Sequence, residues 1–309
     1  MVAKSLVKGD KVGVVAPSNP YKEKYRDNFK RATELLETMG YELVFAKNLF
    51  ETDEEISVDA QKRADDINEM FDNRDIKAII SLQGGDNANS VLPLLDYDLI
   101  RKNPKIFMGL SDITTILNAI YTKTGLVTYH TNDYLFGFGG KFTEYDLEDF
   151  NKAFVLGNRT EIEPTTERKV IRKGCGGGKL IGGNLRCLLK LAGTEYFPDF
   201  KDAILFVEAL SGNIEQYEYM FEQLKQIGAF DKINGVIVGY VKGLQEDDAK
   251  IQMEDVLLRV SKDYSFPIIK CNDFGHKNSN AVMPIGVRVK IDTTNCSIKL
   301  LDREIEFNA

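Results

Sequence analysis

The hydrophobic pattern of the first 130 residues keeps changing period, and that alternation leaves few architectures open. Short apolar, β-branched runs at 12–16, 42–45, 78–82, 105–109 and 126–129 read as strands, and stretches with helical spacing lie between them at 25–39, 58–71 and 113–121. In the first of these helices Phe29, Ala32, Leu35, Leu36 and Met39 form one apolar face, and Gly40 follows as a C′ glycine. Apolar strands separated by amphipathic helices predict a parallel sheet covered by helices. The rhythm breaks over 137–172, where Gly-rich, charged and Thr-rich stretches hold one short helical pattern at 147–154. A boundary there gives an N-terminal α/β domain over 1–165 and a smaller C-terminal α/β domain over 166–309. The second domain opens with a glycine loop at 174–178 and with Gly182-Gly183-Asn184, which leads into a helix through Leu191. Strands at 203–207, 235–238 and 267–270 then alternate with helices at 214–227 and 253–260, and 287–291 with 296–300 forms a closing hairpin.

Charge narrows the partners. Forty Lys and Arg against 47 Asp and Glu leave a net charge of -7, which repels a phosphate backbone or an anionic membrane surface. Neither nucleic acid nor a membrane is expected as a partner. The N-terminal segment carries Lys4, Lys8, Asp10 and Lys11 among short apolar pairs, unlike a signal peptide, and no later run has the length of a membrane span, so a cytoplasmic protein is expected. Cys175, Cys187, Cys271 and Cys296 show neither CxxC pairing nor metal-ligand spacing with the histidines, which predicts reduced thiols and no metal.

Imidazole chemistry near neutral pH is restricted to two positions, His130 and His276. His276 lies in the loop Asp273-Phe274-Gly275-His276-Lys277 after a strand, and His130 ends the strand 126–129 as a packed or ligand-lining side chain. Ser111 stands in Gly109-Leu110-Ser111-Asp112, between an apolar strand and a helix. A serine there serves either as an N-cap or, on a sharp turn beside free helix amides, as a nucleophile. Asp112 and Ile113 follow it, so the G-x-S-x-G pattern is not met. Gly84-Gly85-Asp86 follows the strand 78–82 and fits either a tight turn or a bare backbone approach to a reacting carbonyl; it matches no nucleotide-phosphate loop. Glu208 ends the strand 203–207. Ser111, Glu208 and His276 thus each follow a buried strand, where open α/β sheets collect their sites.

At these residues the chain resembles the LD-carboxypeptidase family of serine peptidases, which includes the microcin C immunity proteins. The matching strings are Val14-Val15-Ala16-Pro17-Ser18, Gly84-Gly85-Asp86, Leu94-Leu95-Asp96-Tyr97-Asp98, Gly109-Leu110-Ser111-Asp112-Ile113-Thr114, Leu180-Ile181-Gly182-Gly183-Asn184-Leu185, the strand ending at Glu208, and Gly275-His276. The resemblance implies a flavodoxin- or amidotransferase-like N-terminal half and a catalytic triad of Ser111, Glu208 and His276. It also implies an oxyanion hole built from the N–H groups of Gly85 and Asp112. Gly84, Asp86, His130 and Asn184 are the expected substrate-contacting residues, with no cofactor and a homodimeric assembly.

The expected activity is hydrolysis of an amide near a free carboxylate, in a murein-type small peptide or in a peptidyl or aminoacyl adenylate analogue. The 94–98 run resembles the immunity branch. Immunity-type members stack the nucleotide base on a tryptophan in the loop before Gly-Gly-Asn, whereas this chain has no Trp and no aromatic over 165–178. Murein-type peptides are therefore placed first. Arg168, Arg172, Lys173 and Arg186 are candidate partners for the substrate carboxylate, although most fit a solvated face. A different class remains open, a non-catalytic two-lobed binding protein. Cys175 as an amidotransferase-type nucleophile is disfavoured by its place in a glycine loop.

Overall fold

The computed structural model describes residues 1–51 and 59–307. Strands β1 (Lys11–Val15), β2 (Glu42–Phe45), β3 (Ile76–Ser81), β4 (Ile106–Gly109) and β5 (Thr128–His130) alternate with helices α1 (Arg26–Thr38), α2 (Ala60–Asp72), α3 (Tyr97–Lys102) and α4 (Thr114–Thr124). The expected start of the second helix, Val58, lies outside the described residues. Helix α5 (Glu144–Phe150) leads to β6 (Lys169–Arg172), β7 (Cys175–Asn184), α6 (Leu185–Leu189), β8 (Ala203–Ala209), α7 (Ile214–Gln226), β9 (Ile233–Val241), α8 (Lys242–Glu246), α9 (Met253–Val260) and β10 (Ile268–Lys270). The chain closes with β11 (Met283–Ile285) and the antiparallel pair β12 (Arg288–Asp292) and β13 (Ser297–Leu300), the expected hairpin.

Two sheets result, ordered β11-β5-β4-β3-β1-β2 and β13-β12-β7-β8-β9-β10-β6. Within them β2-β1-β3-β4-β5 and β7-β8-β9-β10 are parallel, the mixed α/β class expected from the alternation. Strand β11, from late in the chain, adds antiparallel to β5 of the first sheet. Its Pro284 lacks an N–H and so suits an edge position. Among the described residues no helix is long and apolar enough to cross a membrane.

One expectation is corrected. The stretch 174–178 is not a flexible loop: from Cys175 onward it is the first half of the ten-residue strand β7, paired with β12 from Asp292↔Cys175 to Arg288↔Lys179. Glycine is required because neighbouring backbone comes too close for a side chain. A Cβ on Gly176 or Gly178 would fall onto the carbonyl oxygens of Asn234 and Asp202. Cys175 is accordingly an exposed, free thiol on a strand.

Candidate active site

Ser111 follows β4 and opens a three-residue 3-10 turn, Ser111–Ile113, ahead of α4. Its φ of 65° lies in the left-handed region, which costs a serine about 1–3 kcal/mol and marks a backbone held in place by its surroundings. The turn's N-cap is Leu110 and no side chain caps it, so the Ser111 hydroxyl is not spent as a cap. Gly84 leaves the space in front of it open: a Cβ there would sit 2.7 Å from Ser111 Cβ, 3.0 Å from its Oγ and 3.3 Å from the Asp112 backbone nitrogen. The Asp112 side chain is fully buried and works as a hub. Its Oδ2 accepts from Ser18 Oγ and from the Ala88 N–H, both at 2.7 Å, and its Oδ1 accepts from Lys190 Nζ at 2.6 Å. Lys190 also donates to the carbonyl of Asp86 at 2.7 Å. One carboxylate and one ammonium therefore fix the 84–88 loop against the Ser111 turn.

Strand β8 is buried along its whole length, and it carries Glu208 with no exposed surface. His276 Nδ1 lies 2.6 Å from Glu208 Oε2, and Asn184 Nδ2 donates to Glu208 Oε1 at 2.9 Å. Burial alone would push the Glu208 pKa up, but the charge and hydrogen bond of His276, with the His130 ring alongside, hold it well below the usual carboxylate range. Burial likewise presses the His276 pKa down; the Glu208 charge and hydrogen bond outweigh it, and the net shift is upward. Gly275, at φ 125°, lets the loop pass between β8 and β9: a Cβ there would meet the Tyr240 carbonyl at 2.9 Å and Glu208 Cβ at 3.3 Å. The Nδ1 contact leaves His276 Nε2 as the nitrogen available for proton transfer.

Ser111 and His276 face one cleft of about 670 Å³, together with Gly84, Gly85, Asp86 and Arg186. Two of the expected substrate-contacting residues lie elsewhere. Asn184 is buried as the partner of Glu208, and His130 is fully buried behind that carboxylate, its Nε2 3.7 Å from Glu208 Oε1 and its ring edge-on to Phe206 and Phe274. Neither ring nitrogen of His130 has a hydrogen-bond partner among the described residues. Of the basic residues considered, only Arg186 reaches the cleft. Arg168 is buried against Asp273 at 2.7 Å, and Arg172 donates to Ser261. The cleft also holds Asp133, Lys242, Tyr25 and Phe136, which the sequence did not single out. Asp133 lies three residues beyond a sheet strand, a positional signal that would have flagged it; Phe136 stays 46% exposed with Tyr25 edge-on at 5.1 Å. Among the described residues no cluster of three or more His, Cys, Asp or Glu side chains is arranged to hold a metal.

Models of two domains match the chain, the LD-carboxypeptidase N-terminal domain over 12–131 and the LD-carboxypeptidase C-terminal domain over 177–291. The microcin C7 self-immunity protein MccF of Escherichia coli is 32% identical, with 98% of this chain and 96% of that protein covered. A Bacillus subtilis protein described as a probable murein peptide carboxypeptidase is 30% identical over 94% of this chain and 91% of its own length. The structure of MccF in complex with aspartyl sulfamoyl adenosine superposes with a TM-score of 0.91 at 30% identity, covering 99% of this chain and 100% of that one. Fold and relatives define the class, an α/β peptidase of two sheets. The chain belongs to the LD-carboxypeptidase family.

Proposed function

We propose that the protein is a serine hydrolase that cleaves an amide bond beside a free carboxylate, with murein-type peptides as substrates. The observation that carries this reading is the 2.6 Å pair of His276 and the buried Glu208, which opens on the same cleft as a serine in a strained turn. Ser111 Oγ attacks the carbonyl while His276 Nε2 takes its proton and then passes it to the leaving amine. Glu208 keeps Nδ1 protonated and stabilises the imidazolium. The N–H groups of Gly85 and Asp112 hold the oxyanion, each worth about 3 kcal/mol. Arg186 and Lys242, both on the cleft wall, serve the substrate carboxylate. In this reading the domain over 1–165 supplies the nucleophile and that over 166–309 the glutamate and histidine. A homodimeric enzyme without a cofactor follows from the family resemblance, and a cytoplasmic location is the expectation from the sequence.

A second reading, hydrolysis of aminoacyl-nucleotide analogues, is favoured by one feature. Phe136 and Tyr25 give the cleft an exposed aromatic surface although the chain has no Trp, and the MccF structure holds such an analogue. The test is a parallel assay with an L-lysyl-D-alanine or diaminopimelyl-D-alanine tetrapeptide and an aminoacyl sulfamoyl adenosine. The tetrapeptide is expected to turn over, with Ser111→Ala inactive at unchanged thermal midpoint. Turnover of the nucleoside alone selects the second reading. Retained activity in Ser111→Ala overturns the triad, and binding without turnover or Ser111 labelling by a fluorophosphonate selects the two-lobed binding protein.

A further inference from the structure

We propose that Asp133 is the subsite for a positively charged group of the substrate, an ammonium within one residue of the scissile amide. The proposal rests on the reading of Ser111, Glu208 and His276 as the catalytic set and names what that set is offered. Asp133 is 3% exposed, yet it belongs to the cleft wall that holds Ser111 and His276. Its Oδ1 is fully used, accepting from the Phe136 N–H at 2.7 Å and the Gly137 N–H at 3.0 Å. Among the described residues no protein group donates to Oδ2. Oδ2 is not one of the buried atoms that lack a partner, so this oxygen is open to the cleft, where a cationic group of the substrate can reach it.

The surrounding charges leave that role open. Arg186 turns to Asp86 at 3.4 Å, and Lys277 donates to Thr165 Oγ1 at 3.2 Å and to the Asn272 carbonyl. Lys242 also lines the cleft, but among the described residues no cation forms an ion pair with Asp133. Burial pushes the Asp133 pKa up to about 6, against the pull of its two amide donors and of His276, the signature of a carboxylate short of compensating charge. The turn that carries it is rigid: Asn28 Nδ2 donates to the Leu135 carbonyl at 3.0 Å and Arg31 Nε to the Gly139 carbonyl at 2.9 Å. A fixed carboxylate beside the reacting histidine selects substrates with an ammonium near the bond to be cut. Either a free α-amino group or the side-chain amine of lysine or diaminopimelate supplies it.

Asp133→Asn tests the assignment cleanly, because the amide oxygen keeps both backbone contacts while the charge is lost. Kinetics are compared on a lysyl-D-alanine peptide and its norleucyl isostere, which lacks the side-chain amine, and on an aminoacyl sulfamoyl adenosine with and without its α-amino group. The variant is expected to raise KM at least about tenfold for one aminated member of a pair, and which pair responds identifies the source of the ammonium. The desamino partner stays within about twofold. An equal change on both members of each pair, or none, overturns the proposal; so does a fall confined to kcat, which would mean that Asp133 acts through His276. Equilibrium binding to Ser111→Ala and to Ser111→Ala/Asp133→Asn supplies the same comparison without turnover. If the wild type hydrolyses nothing, the catalytic reading fails by itself, and loss of the aminated preference in the double variant still decides for or against the subsite.

Discussion

At His276 two forces compete, and their balance sets a pH window. Burial disfavours the imidazolium, Glu208 and Asp133 favour it, Lys242 opposes them, and the net shift is upward from the ordinary value of 6.5. A general base works in its neutral form, so kcat/KM should rise with pH through an apparent pKa above 6.5. Glu208→Gln removes the charge that raises it: the acid limb should move down in pH while kcat falls about 10³–10⁴-fold, as pH–rate profiles of both proteins would show. An unmoved limb would assign it to another group. Stability runs the other way. The raised His276 pKa stabilises the fold fully below about 6.5 and loses that effect as pH climbs through the raised value. The depressed Glu208 pKa stabilises it above its ordinary 4.5 and loses that effect as pH falls through the lowered value. The pair therefore holds the fold best on the acid side of the active range. Ser111, Glu208 and His276 stood out in the sequence at or after the ends of apolar runs, and it was the family resemblance that grouped them as a triad; Glu208 proves to lie within β8. Asp133, three residues beyond β5, carried the same positional signal, but nothing in Tyr129-His130-Thr131-Asn132-Asp133 tells that the next turn will hold its Oδ1 through the Phe136 and Gly137 amides.

Among the elements, β7 shows why propensity misleads. The glycines at 174–178 read as a loop because glycine packs no side chain and loses most entropy on ordering. Here glycine is what admits the neighbouring backbone, and the ladders to β8 and β12 supply the order that propensity lacks. A paired substitution separates the two views. Gly178→Ala places a methyl on the Asp202 carbonyl, whereas at Gly177 the nearest obstacle is the Val289 carbonyl at 3.5 Å. Gly178→Ala should cost at least about 2 kcal/mol and Gly177→Ala less than about 1 kcal/mol, measured by urea midpoints at constant slope. Equal costs would mean that glycine content, not close approach, governs the strand. Elements with strong periodicity were legible, α1 and α7 to within a few residues. The short edge strands β6 and β11 were not, because three or four residues carry no period and their partners are distant in sequence.

Across the whole molecule, the cleft is assembled from two sheets whose parallel strands present their carboxyl ends to it. That convergence was legible in outline, since βα alternation puts loops at strand ends. The tie between the halves was not, because Lys190 and Asp112 are 78 residues apart and neither belongs to a motif that announces the other. Lys190 comes from just after α6, and it grips both the Asp112 carboxylate and the Asp86 carbonyl. It thereby sets the spacing of the two segments whose amides are proposed to hold the oxyanion. Lys190→Met leaves Asp112 with Ser18, the Ala88 amide and the more distant charge of Arg63 but without the ammonium in direct contact, a buried charge only partly compensated. Since Lys190 is itself partly exposed, the stability cost should stay near about 1–2 kcal/mol, below that of a fully buried pair. The effect on catalysis should be larger and should fall on kcat, by about tenfold or more, because the oxyanion forms only after the substrate is bound. KM should hold within about twofold, and Lys190→Arg should recover part of kcat by restoring the cation. Steady-state kinetics well below the thermal midpoint make the distinction: a rise in KM with kcat intact would make Lys190 a substrate contact, and no kinetic change would leave it a bolt between the halves with no part in positioning the site.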